Sequence, residues 1–419
     1  MAIGVMNLSS MKSKRMFILN SFFLVGIFFT SCCDRDEPPK PQSKPAYEIL
    51  WQQPIVPDPE LYFSLSINPF LYKGMVIVSS EYTMEGVESP LMFLDSADGH
   101  IVDLWSDFID GAVPYINESA SSEGEFLVLN TQRSVDCVNL ETRSRQWASL
   151  ISRNHPYNYI YKGYVYTTIQ YNGDDGAAVL RSPLDHEDWQ TVYPFTRTDE
   201  YVPFFSALGF GETEDGHDIV VWKNRSSYTN KNQTDIFAYD LTADSLLWRN
   251  RDFNVFGGIL PLQVDNQRVY GAVERRVFCL DLMTGDSIWT NDFSGIIAKP
   301  RFSNFDQGMM YLSDYKVYLK GGGPELVILH KSDGSLFRTN DELPDGIEDR
   351  VTYFEGKLFM STQELVIVDL LTGDLLNDPN AMLRTFGNIY SKIVIDPDRR
   401  VMYFHNGRTL FCVKIPEDL

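Results

Sequence analysis

The sequence predicts an all-β protein: a single closed β-propeller of about eight four-stranded blades, with an N-terminal strand completing the last blade. Three observations predict it. A phrase of apolar residues, Asp, a short turn and Trp recurs about every 40 residues, the mark of a repeat architecture. It reads LDSADGHIVDLW at 94–105, VNLETRSRQW at 138–147, YDLTADSLLW at 239–248 and LDLMTGDSIW at 280–289. Short apolar runs dominate, helical periodicity is scarce, and aromatic residues make up 13% of the chain, a bias toward β structure. Finally, the C-terminal segment holds three strands without a fourth, whereas 47–52 reads as a fourth strand with no blade before it.

The best-kept repeat supplies the template. Residues 258–265 provide a first strand, 268–273 a second, 276–282 a third and 287–292 a fourth, with the turn at 283–286. Gly285 takes the positive φ that a bulged hairpin requires. Asp281 and Thr284 can hold the turn by hydrogen-bonding nearby backbone. Trp289 then offers an apolar face that can cover the neighbouring sheet.

Read with this template, blade one runs from about Phe63 to Trp105, with Asp95 and Gly99 in its turn. Blade two ends at Trp147. Blade three ends near Trp189 after a degenerate turn at 182–188. Blade four carries Asp240 in its turn, ends at Trp248 and includes a polar insertion at 224–233. Blade five ends at Trp289. Blade six ends in LHKSDGSLF at 329–337, with Phe337 in the Trp slot. Blade seven ends in VDLLTGDLL at 368–376, with Asp369 and Gly373 in the turn and Leu375 near the slot. The last segment supplies strands at 392–396, 400–405 and 409–415; the strand at 47–52 completes it, with Trp51 in the slot. Such closure removes exposed sheet edges.

The segment before residue 47 is excluded from the fold. Basic residues at 12–15 precede an apolar run at 16–29 that is shorter than a transmembrane span. The run leads to Ser31 and Cys32 and resembles a bacterial lipoprotein signal, with Cys32 as the lipidated residue. Residues 1–31 are then the signal peptide, 32–46 an acidic, Pro-rich tether and 47–419 the propeller. The acidic start of the tether resembles the export signal of surface lipoproteins in Bacteroidetes-type bacteria. The expected location is the outer membrane, at its periplasmic face or the cell surface. Cys137, Cys279 and Cys412 lie far apart in strand-like runs and are expected to be buried free thiols.

The repeats resemble those of the pyrroloquinoline-quinone-like β-propeller superfamily. That group takes in quinoprotein alcohol dehydrogenases and the outer-membrane assembly lipoprotein BamB. The stretch from Asp281 to Trp289 matches its repeat closely; Asp369 to Gly373 and Asp95 to Trp105 match less fully. The likeness spans about residues 47–415, and its motif speaks for fold far more than for function.

Dehydrogenases of that family hold their quinone against a disulfide of adjacent cysteines and use a Ca²⁺ ion. The adjacent pair here, Cys32 and Cys33, stands in the signal and tether, where it cannot line a central pocket. The six histidines are scattered, with no HExxH or CxxC spacing. No GxSxG, GxGxxG or phosphate-loop motif is present. A net charge of −21 opposes nucleic-acid binding. The expectation is a non-enzymatic, lipid-anchored scaffold without cofactor or metal, BamB-like by analogy. It would bind protein partners at the outer membrane. The alternatives are a surface lipoprotein binding a glycan or polymer, and an enzyme with its site in the central funnel. Tyrosine-rich stretches in blades three and four (Tyr157, Tyr159, Tyr161, Tyr164, Tyr166, Tyr171; Tyr193, Tyr201, Phe204, Phe205, Phe210) fit either packing between blades or an aromatic binding face.

Overall fold

The computed structural model describes residues 47–419, apart from 65, 109–119, 131–133, 151–157, 171–176, 196–202, 228–231, 254–259, 295–304, 306–307, 347–350 and 418. The expected signal peptide, tether and lipidation site at Cys32 lie outside the described residues.

Eight antiparallel sheets follow one another along the chain, seven of four strands and one of three among the described residues. Blade five shows why. Its strands Gln263–Asp265, Arg268–Val273, Arg276–Asp281 and Ser287–Asp292 are joined in order as a meander. Residues 277–280 are buried without interruption, because the inner strands of a blade are covered on both faces. The fourth strand is mostly exposed, with Trp289 its one buried residue, as befits an outer edge.

The ring closes as the sequence predicts. Strand Glu48–Pro54 pairs antiparallel with Thr409–Lys414 and completes a sheet with Val401–His405 and Val394–Asp396. Trp51 lies opposite Cys412 in that pairing.

Among the described residues there is no single central core. The buried apolar residues fall into eight clusters, each shared by two adjacent blades. Between blades four and five, for example, Val221 and Ala238 meet Val269, Phe278 and Leu280. Each sheet buries its apolar faces against its neighbours, so a lone blade could not hide them.

Two blades depart from the template. In blade four the described parts of the polar stretch, 224–227 and 232–233, are no separate insertion. They prolong the hairpin of Asp218–Ser227 and Asn232–Asp240, in strands of 10 and 9 residues. In blade seven the fourth strand shrinks to one bridge, Val368 opposite Leu375. The chain then enters the helix Pro379–Phe386, capped by the Asp378 carboxylate and ended by Gly387 at φ 72°. The rest of the edge of Leu365–Asp369 is finished by Leu376 N–H, which donates to Ile367 O at 2.8 Å, and by one side chain. Asn377 accepts from Ile367 N–H at 2.9 Å and donates to Leu365 O at 2.6 Å. Its carboxamide thus stands in for the peptide group of the missing strand.

Candidate functional site

The meander gives the ring two unlike faces. On the turn face lie the first-to-second turns and, in every blade but the eighth, the third-to-fourth turns. On the loop face lie the second-to-third loops and the connections between blades.

The recurring Asp–Gly–Trp phrase belongs to the turn face. In blade five, Asp281 Oδ1 accepts from the N–H groups of Met283 and Thr284, both at 2.9 Å, and Gly285 has φ 72°. The tryptophan resting on this turn comes from the preceding blade. Trp248 Nε1 donates to Leu282 O at 2.8 Å, and its ring covers Gly285. The same docking joins Trp51 to Ser96 O and Gly99, Trp289 to Lys331 O and Gly334, and Trp147 to Leu184 O. Asp240 holds its turn through the same two backbone N–H contacts, and Asp369 through the second of them, Thr372 N–H. Asp244, at φ 53°, takes the glycine position in blade four, while Gly373 keeps it in blade seven at φ 77°.

Register separates the true slot from spacing alone. Trp147, Trp248, Trp289 and Trp51 lie opposite Cys137, Ala238, Cys279 and Cys412, each beside a bulge. A small residue recurs beneath the indole, which accounts for the three buried free cysteines. Burial pushes these thiols up, Cys137 to about 12 and the other two to about 11.

Trp105 does not hold this slot. Asp103 does, opposite Phe93, and it pairs with Arg143 of the next blade at 3.1 Å; Trp105 sits two residues on and packs against Phe108. In blade three the slot falls to Tyr193, opposite Val179, while Trp189 precedes the strand and meets Trp147 edge-on. In blade six Arg338, not Phe337, takes the slot and bonds Thr372 O and Asp374 of the next turn.

The loop face carries a second recurring position, which no motif announces. At one shared register near the end of each second strand stand Ser79, Asn130, Gln170, Lys223, Ala272, Lys320, Ser361 and His405. Several reach into the following blade. Asn130 Oδ1 accepts from Asn158 at 2.7 Å, and Lys223 Nζ donates to Ala272 O at 3.1 Å. His405 Nδ1 accepts from Gly407 N–H, leaving Nε2 to donate to Ile67 O at 3.2 Å. Polar groups buried this deeply hold their place only when paired.

One strongly perturbed ionisable group on this face is Lys320. Desolvation brings its amine down to about 8, against the pull of Asp345, Glu325 and Glu364. Burial also raises the Glu364 carboxyl. Gln363 beside it has φ 73°, and Ser361 Oγ is buried without a hydrogen-bond partner.

Several aromatics of blades three and four pack between the blades, while Tyr164 is exposed. Tyr159, Tyr161 and Tyr166 gather on Phe210, and Tyr193 and Phe195 on Trp222 and Phe237. Tyr157, Tyr171 and Tyr201 lie outside the described residues.

The residues described do not fit a quinone held on a cysteine pair. Cys137, Cys279 and Cys412 belong to three different blades, each buried beneath a tryptophan. No group of three or more His, Cys, Asp or Glu side chains among the described residues could hold a metal ion.

Residues 232–416, from the third strand of blade four to the end of blade eight, match a family model described as outer membrane protein assembly factor BamB. No curated protein matches the chain in sequence. Among solved structures, a europium-containing methanol dehydrogenase superposes with a TM-score of 0.62 at 10% identity, over 88% of this chain and 93% of its own. A quinohemoprotein alcohol dehydrogenase from Comamonas testosteroni gives 0.57 at 11% identity, over 88% and 78%. The computationally designed Ika8 protein gives 0.54 at 11% identity, over 87% and 100%. The chain therefore has the fold of the quinoprotein-type β-propellers. Within that fold, its C-terminal half resembles the assembly-factor branch in sequence.

Proposed function

We propose that this protein is a non-enzymatic, lipid-anchored propeller that holds protein partners together at the outer membrane. The observation that carries this reading is the match of residues 232–416 to the assembly-factor family model. The cysteine placement, unsuited to a quinone-bearing disulfide, agrees with it. A rigid ring with two differently built faces suits a scaffold, since loops on a fixed frame present contacts without ordering cost. Cys32 would carry the lipid, with the ring at the periplasmic face or the cell surface.

The test is cross-linking and recovery of the tethered protein from intact cells, beside a Cys32→Ser variant. Co-recovery of outer-membrane assembly proteins, with release of the variant from membranes, is the expected result. A bound quinone or metal in the purified protein would overturn the non-enzymatic reading, and a variant that stays on the membrane would overturn the anchor.

A second reading, a glycan or polymer binder, is favoured by one patch. Tyr311 and Tyr353 stack across the seam of blades six and seven at 5.9 Å, Tyr353 is half exposed, and Tyr315 is 80% exposed. Such rings suit sugar faces. Recovery of polysaccharide without protein would select this reading.

A further inference from the structure

Lys320 ends the second strand of blade six, Lys316–Lys320, and is almost wholly buried. Its ammonium spans two separate segments. It donates to Gly323 O in its own blade's loop and to Gly346 O in the segment leading into blade seven, both at 2.9 Å. Gly346 N–H in turn donates to Gly322 O at 3.1 Å. Gly346 also lies tight against the second-to-third turn of blade seven, where a Cβ would come within 2.7 Å of Thr362 O. One lysine thus ties together the three pieces of chain that meet on the loop face at this seam. An acid faces it from each: Glu325 from the blade-six loop, Asp345 from the lead-in to blade seven, and Glu364 from the blade-seven turn.

We propose that Lys320 is a proton-controlled latch on the seam between blades six and seven: gaining a proton loosens the three segments it ties, and losing one seals them. Opening the seam returns the amine to water, where it binds its proton more tightly than in the closed seam. The closed amine titrates near 8 against an ordinary 10.5. Between those values the open state carries more protons, so raising the pH across that window favours closure. Below about 8 both states are protonated and the full desolvation cost persists. At neutral pH the seam is therefore held closed against a buried charge.

The test is hydrogen exchange on the full chain, with rates corrected for intrinsic exchange, at pH 7 and pH 9.5. Protection of the amides at 321–323 and 345–346 is expected to rise on the order of tenfold at the higher pH. In Lys320→Met the same amides should show no such rise. Unchanged protection in the wild-type protein would overturn the latch. So would a Lys320→Met variant that keeps the pH dependence, because Glu325, Asp345 or Glu364 would then be its source. The wild-type comparison decides the matter even where the variant folds poorly.

Discussion

Gly285 has no room for a methyl group. A Cβ there would lie 2.5 Å from the Trp248 ring, in a backbone at φ 72° that side chains rarely adopt. The turn residue and the docking residue belong to different blades, so each constrains the other across a seam. Trp248→Ala should cost about 3–5 kcal/mol, the range for emptying a large buried site. Gly285→Ala should cost about 1–3 kcal/mol through clash and backbone strain. In the double variant the clash disappears, so the two losses should add to less than their sum. Gly356→Ala supplies the control, since it shares the positive φ with nothing within 4 Å. Urea unfolding midpoints of the four variants check this; strict additivity would mean the ring and the turn are not coupled.

The same residues show what was legible. Asp281, Gly285 and Trp289 were readable because turn chemistry is local and repeats along the chain. Trp105 and Trp189 misled, because the period alone does not fix the register: Trp105 lies two residues past the slot, and Trp189 four residues before it, ahead of the strand. Tyr193, Asp103 and Arg338 were not read as slot residues because each fills the slot with different chemistry: a phenol on an aromatic cluster, or an ion pair with the next blade. Lys320 and Glu364 were invisible in sequence, since they come from different blades and carry no motif.

At the scale of elements, the helix Pro379–Phe386 answers a problem set by closure. The fourth strand of blade eight comes from the N-terminal end, so blade eight has no third-to-fourth turn. A tryptophan on blade seven would have no turn to rest on. The helix fills that seam instead: Phe386 meets Phe404 and Phe411 at 5.1 and 5.4 Å, and Met382 joins the same cluster. Asn377 completes the arrangement by satisfying the exposed strand edge. Asn377→Ala would leave a buried N–H and a buried carbonyl unpaired, each worth about 1–3 kcal/mol. Asp378→Ala should lose only the cap, about 1 kcal/mol. Chemical denaturation should therefore rank the Asn377 variant well below the Asp378 variant in stability; equal stabilities would count against the strand-mimic role. The Asp–Pro start of this helix is visible in the sequence, but eight residues are too few to outweigh the repeat that surrounds them.

For the whole molecule, stability is spread over eight seams instead of one core. Deleting residues 46–55 removes a blade edge together with Trp51, which bonds Ser96 O, and strips the partner from Thr409–Lys414. The melting temperature should fall by many degrees, and an unchanged value would refute the closure. The eight-blade count was legible because the period, the missing last strand and the orphan first strand agree with one another.

The pairing of Glu48 with Lys414 also sets an order in time. Most strands here pair with a neighbour made moments earlier, but the first must wait until nearly the whole chain exists. Contacts so distant in sequence form slowly, and until then both the strand and its future partner expose unpaired backbone. The interval between the synthesis of Glu48–Pro54 and the arrival of Thr409–Lys414 is the period in which this protein most needs protection from its own edges.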